Sequence, residues 1–206
     1  MKVIADFPPM VEGKPSGRPG LTYAAEAIEA MIAAVHAAGG RVAAHVTTDL
    51  VGHLVRAGVD SVEHGTAIDE QALRLMARTG AAWTPTLCAV LALPGHATDE
   101  ARQRVAGHRQ RLRELLPLAQ RLGVPVLAGT DVVGSIAREV ALLAEHGLGP
   151  AGALAAASTS GYRFLGVPFG EPGRPATLVT YDHDPREDLA VLSAPSAVII
   201  EGRRVR

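Results

Sequence analysis

Three residues with metal-binding side chains each close a short apolar run: Val42-Ala43-Ala44-His45, Val59-Asp60-Ser61-Val62-Glu63-His64 and Val124-Pro125-Val126-Leu127-Ala128-Gly129-Thr130-Asp131. Imidazole and carboxylate suit a borderline divalent ion such as Zn²⁺, which lowers the pKa of a bound water to about 7 and so supplies hydroxide at neutral pH. Read singly, a histidine at a strand end is more often a hydrogen-bonded core or loop residue than a ligand. Three such residues at the carboxyl ends of predicted parallel strands shift that balance without reversing it, because this edge is where catalytic groups of α/β barrels converge.

Lys2 stands inside the apolar run Met1–Phe7, where a charged lysine is seldom left buried; the plain reading is a terminal side chain whose ammonium reaches water. His36 and His146 fall in helix C-terminal turns, where a cation favours the helix dipole. His53, His96, His108 and His183 lie on helices or loops and read as surface or capping groups. Glu139 is either an ordinary helix carboxylate or a residue that positions a ligand or substrate. Thr84, Thr86 and Tyr23 are candidate pocket residues.

The elements that must position these groups alternate. Met1–Phe7 reads as a buried strand, and Pro8–Gly20 as a loop without regular structure. A helix follows from Thr22, its expected N-cap, to the Gly39-Gly40 stop. Strands ending at His45 and His64 flank a helix from Thr48 to Ala57. Asp69 should cap a helix through Arg78, and Ala82–Leu87 reads as the next strand. A polar helix spans Asp99–Arg121, Val124–Asp131 reads as a buried strand, and helices cover Ala137–His146 and Pro150–Ala157. Alternation of this kind predicts a parallel sheet, hence a barrel or a doubly wound fold. The end differs: Ala176–Tyr181 and Ala197–Val205 suit two strands of an antiparallel appendage.

At 206 residues the chain can bury one good core. Twenty Lys plus Arg against 21 Asp plus Glu give no field that would concentrate nucleic acid or an anionic membrane, so neither is an expected partner. Cys88 is the single cysteine and cannot form an internal disulfide. Without a signal peptide or an apolar run of about 18 residues, the expected location is cytoplasmic. No Gly-x-Gly-x-x-Gly or P-loop string points to a nucleotide.

The segments Val42–His45, Ala57–Gly65, Thr84–Leu87 and Leu127–Asp131, in this order and spacing, resemble the imidazolonepropionase-like and Xaa-Pro dipeptidase-like metal-dependent amidohydrolases. Ala176–Pro185 followed by Ala197–Gly202 resembles the closing strands of that family's β-sandwich, so the likeness covers nearly the whole chain. The resemblance implies a partial (β/α)8 TIM-like barrel, about strands four to eight, over residues 1–170, with strands of a composite β-sandwich over 171–206. It makes His45 the metal ligand of strand five, His64 that of strand six, and Asp131 the strand-eight aspartate that binds metal and handles the proton of the attacking water. Lys2 matches the strand-four lysine, carboxylated in many relatives so that a carbamate bridges two metals.

The His-x-His pair of strand one is absent from this sequence, and with it strands one to three. The resemblance therefore implies one or two divalent ions, zinc foremost, with the site built by Lys2, His45 and His64 as the one that survives. Such ligands also accept Mn, Fe, Co or Ni. The expected activity is hydrolysis of C–N bonds in amides, cyclic amides or dipeptides, on a small-molecule substrate. The alternative is a truncated, inactive chain acting as an assembly or binding partner. An open barrel leaves a strand edge unpaired, which predicts a homo-oligomer or cover by a missing N-terminal segment.

Overall fold

A computed structural model describes residues 1–206. Its first strand, β1 (Lys2–Ile4), is shorter than the apolar run that suggested it. The backbone leaves the main sheet after Ala5, and β2 (Asp6–Phe7) turns to a different partner. The stretch expected to be irregular contains a tight hairpin, β3 (Met10–Val11) and β4 (Lys14–Pro15). Glu12 (φ 49°) and Gly13 (φ 75°) make its two-residue turn, a backbone twist that matches paired strands and that periodicity cannot reveal. β5 (Gly20–Leu21) then closes antiparallel on β2.

Helix α1 (Ala25–Ala37) starts after Ala24 with no side-chain cap, so Thr22 does not serve as one; Ile28 and Ile32 face the core. Next come β6 (Ala43–Val46), α2 (Val51–Ala57), β7 (Ser61–His64), α3 (Glu70–Thr79) and β8 (Ala82–Thr84). Gly58 and Gly80 end the two helices in the left-handed region, and the Asp69 carboxylate accepts the Ala72 N–H at 2.7 Å, as expected of that cap.

These strands form one parallel sheet in the order β1-β6-β7-β8, with β1 at an open edge. In register, Ile4, His45, Glu63 and Thr84 form a row across it. Strand alternation sends Val3, Ala44, Val46, Val62 and Trp83 into the hydrophobic core beneath the helices. Lys2, Ala43, His45, Ser61, Glu63 and Thr84 share the opposite face.

After the short helix α4 (Leu87–Val90), which the sequence did not suggest, α5 (Asp99–Leu122) buries Leu112, Leu116 and Ala119. The strand expected over Val124–Asp131 shrinks to one parallel bridge, Trp83 to Val126. Pro125 has no N–H to extend the ladder, and the chain then leaves Trp83 so that the Ala128 N–H bonds the Ala156 carbonyl at 2.9 Å. Three helices follow: α6 (Ile136–Leu143), capped by Ser135, α7 (Gly149–Ala156) and α8 (Thr159–Leu165). A kinked turn at Ala144–Leu148, where His146 and Gly147 leave helical backbone (Gly147 at φ 112°), joins α6 to α7.

The terminal unit is a three-stranded antiparallel sheet, ordered β11-β10-β9 from β9 (Leu178–Thr180), β10 (Ala197–Ile200) and β11 (Arg203–Arg204). The second expected strand folds back on itself at Glu201-Gly202, both at positive φ, and so becomes two. No single helix is long and apolar enough to cross a membrane.

Candidate active site

His45 and His64 meet at the carboxyl ends of β6 and β7. Their ring centroids lie 4.5 Å apart, edge to face at 72°. Alternation alone would put His64 on the core side with Val62. Its φ of 67° breaks the pleat at the last residue of the strand and brings the ring to His45.

Two contacts hold that geometry. The Trp83 Nε1–H donates to the His64 carbonyl at 3.0 Å, and His64 Nδ1 lies 2.6 Å from the Thr86 hydroxyl. Gly65 is required beside them, because it sits at φ 59° and a Cβ there would come within 3.0 Å of the indole nitrogen.

His45 has a different anchor. Its Nε2 is 3.9 Å from the carboxylate of Asp6, which is fully buried. Asp6 accepts the backbone N–H groups of Thr47 and Thr48 at 2.9–3.0 Å and both hydroxyls, at 3.0 and 2.7 Å. It thereby ties β2 to the loop that leaves His45. The sequence reading missed Asp6; the available signal was a carboxylate within an apolar run, matched by two hydroxyl residues just after a strand-end histidine.

Burial sets the charge of the pair. It lowers the pKa of His45, with the Asp6 charge opposing and the Lys2 charge adding to the effect. It lowers that of His64 to about 4, with His45 adding to the shift and Asp131 opposing it. Both rings are therefore neutral at pH 7 and keep a nitrogen lone pair for a ligand.

Asp131 and Lys2 stand at the rim. Both are exposed, and Asp131 occupies a left-handed turn at φ 59°. Their charges act on both imidazoles, yet no three His, Cys, Asp or Glu side chains converge on one metal-sized point. The structure thus brings two of the four predicted residues into contact and leaves the other two within electrostatic reach. The donor chemistry, two neutral imidazoles with a carboxylate nearby, fits a divalent cation.

Other expectations are corrected. His146 is not a surface cap: it is fully buried in the kink between α6 and α7, with Nδ1 2.7 Å from the Leu142 carbonyl and no hydrogen-bond partner for Nε2. His53 and His108 are half-buried, and burial, then Arg111, pushes His108 down to about 4. His36, His96 and His183 are exposed as expected. Glu139 is not an ordinary helix carboxylate, since it is fully buried and accepts the Leu87 and Cys88 N–H groups at 2.7 Å each. Burial pushes its pKa up, against the pull of those two bonds.

Of the candidate pocket residues, Tyr23 is exposed, Thr86 is buried against His64, and Thr84 lines a cavity. That cavity measures about 430 Å³ and lies on the inner sheet face with Ala43, Ser61, Glu63, Leu127 and Phe164. Neither His45, His64 nor Asp131 lines it. Ser61 donates to the Glu63 carboxylate, and Thr84 Oγ1 to the same oxygen at 3.3 Å, so a linked polar cluster forms part of the cavity lining.

Comparison with known proteins places these features. An uncharacterized protein of Mycobacterium tuberculosis (strain ATCC 25618 / H37Rv) is 37% identical over 191 residues, covering 86% of this chain and 51% of the relative. The crystal structure of a prolidase complexed with N-methylphosphonate-L-proline is 30% identical with a TM-score of 0.76, over 91% of this chain and 50% of the other. A crystal structure described as an amidohydrolase is 28% identical with a TM-score of 0.81, over 99% and 53%. The chain spans about half the length of the curated relatives it matches. The parallel strands with histidines at their ends and the match to the Amidohydrolase family over residues 2–205 lead to one assignment: the chain belongs to that family, whose members are generally metal-dependent.

Proposed function

We propose that this chain carries the His45–His64 portion of a metal-dependent active site that hydrolyses C–N bonds, in a barrel of the (β/α)8 kind. The observation that carries the reading is the contact of two neutral imidazoles at the ends of adjacent parallel strands. The strand order β1-β6-β7-β8, continued by Val126, is the sequential order that a closed barrel requires, which supports the architecture.

His45 and His64 would hold the ion through ring nitrogens. Lys2, in register with Ala43 on the same face as His45, would join them; its neutral amine would add CO₂ and release a proton, giving a carbamate that would offer anionic oxygen donors to the metal. A divalent ion such as zinc, when bound, supplies an acidified water and polarises the carbonyl under attack. Asp131 would accept the proton of the attacking water on a carboxylate oxygen and deliver it to the leaving nitrogen, so that the amine would depart neutral. Small amides, cyclic amides and dipeptides are the substrate class; the prolidase likeness makes Xaa-Pro dipeptides the first to try.

The test is hydrolysis of a panel of Xaa-Pro dipeptides and cyclic amides by the zinc-loaded chain and its Asp131→Asn variant. The reading predicts turnover that falls at least about 100-fold in the variant, the scale of a lost proton shuttle. Zinc binding without turnover of any substrate would instead mark the chain as an inactive binding or assembly partner.

A further inference from the structure

Thr86 has one hydroxyl proton and two close neighbours. Its Oγ1 lies 2.8 Å from the Pro85 carbonyl oxygen, which only accepts, and 2.6 Å from His64 Nδ1. Giving the proton to the ring would leave two oxygens facing each other at 2.8 Å with no hydrogen between them. Giving it to Pro85 satisfies both contacts, provided that Nδ1 of His64 carries a proton of its own.

Thr86 needs support to sit there. It lies at φ 49° and ψ 52°, a left-handed conformation that is costly for a β-branched residue. The next two residues, Leu87 and Cys88, direct their N–H groups to the two oxygens of Glu139, which comes from α6 and is fully buried. A carboxylate with both oxygens engaged by consecutive backbone donors fixes the turn that Thr86 begins.

We infer that Thr86 and Glu139 are positioning residues: Thr86 fixes the proton of His64 on Nδ1, leaving Nε2 as the lone-pair donor, and Glu139 holds Thr86 in the conformation this requires. The consequence for metal affinity rests on the function proposed above, whereas the tautomer rests on the hydrogen-bond geometry alone. Outer partners of this kind typically change metal affinity by about 10–100-fold when removed.

The experiment is long-range ¹H–¹⁵N correlation of the imidazoles in the metal-stripped full chain at neutral pH, with His64 assigned by its loss in His64→Gln. The wild type should show a protonated Nδ1 and an unprotonated Nε2. Thr86→Val, matched in shape but lacking the oxygen, should shift His64 toward the Nε2–H form, and Thr86→Ser should restore it. Glu139→Gln, with one acceptor oxygen left, should give a mixture of the two forms. Zinc affinity on the same samples should fall about 10–100-fold in Thr86→Val and recover in Thr86→Ser. A wild-type ring protonated at Nε2, or an unchanged tautomer in Thr86→Val, overturns the inference. The predicted tautomers without zinc binding in any sample would uphold the inference and remove the metal reading instead. Should Thr86→Val fail to fold, the wild-type tautomer still decides.

Discussion

At single residues, charge state decides what the site can do. His64 is buried and its pKa falls to about 4, so between that value and the ordinary 6.5 the unfolded chain binds a proton that the folded chain refuses. Stability must therefore rise with pH across this window and be lost as pH falls through it. The shift corresponds to about 3 kcal/mol at its fullest. Urea denaturation of the wild type and His64→Gln at pH 7 and 4.5 should show a smaller drop in the variant; equal drops would contradict the assignment. His45 and His64 were legible in the sequence because each ends an apolar run. His146 and Glu139 were not, because a helical histidine or glutamate is buried only if another element packs over it, and here the kink between α6 and α7 and the α4 N–H groups decide this.

At the scale of elements, Asp6 holds the mouth of the site together. Its carboxylate accepts four donor groups from Thr47 and Thr48, so Asp6→Ala would leave buried or half-buried polar groups without partners. A loss of roughly 3 kcal/mol is expected, checked by urea denaturation, with Asp6→Asn losing less because one acceptor oxygen remains. The strand and helix order could be read from periodicity, including the Asp69 cap and the glycine stops. The Glu12-Gly13 and Glu201-Gly202 hairpins could not, since each depends on two successive residues at positive φ that leave no periodic trace. The Val124–Asp131 run misled for a different reason: its apolar residues are suited to a strand, but Pro125 and the bond from Ala128 to Ala156 end the pairing at Val126. Asp131 consequently sits on an exposed turn rather than at a true strand end.

At the scale of the whole molecule, the parallel sheet keeps one open edge at β1, and the inner face of that strand exposes Lys2 and Ile4. Unpaired strand edges recruit other strands. Sedimentation velocity should therefore find self-association of the isolated chain, weakened when Ile4→Lys places a charge on the exposed face; a monomer at all concentrations would contradict this. If one end of this sheet is a metal site, metal content per chain after purification without chelator reveals it. A divalent metal should be present in the wild type and lost in both His45→Ala and His64→Ala while each variant stays folded. A wild type without metal that also binds none on addition of zinc, or variants that retain it fully, would contradict the account.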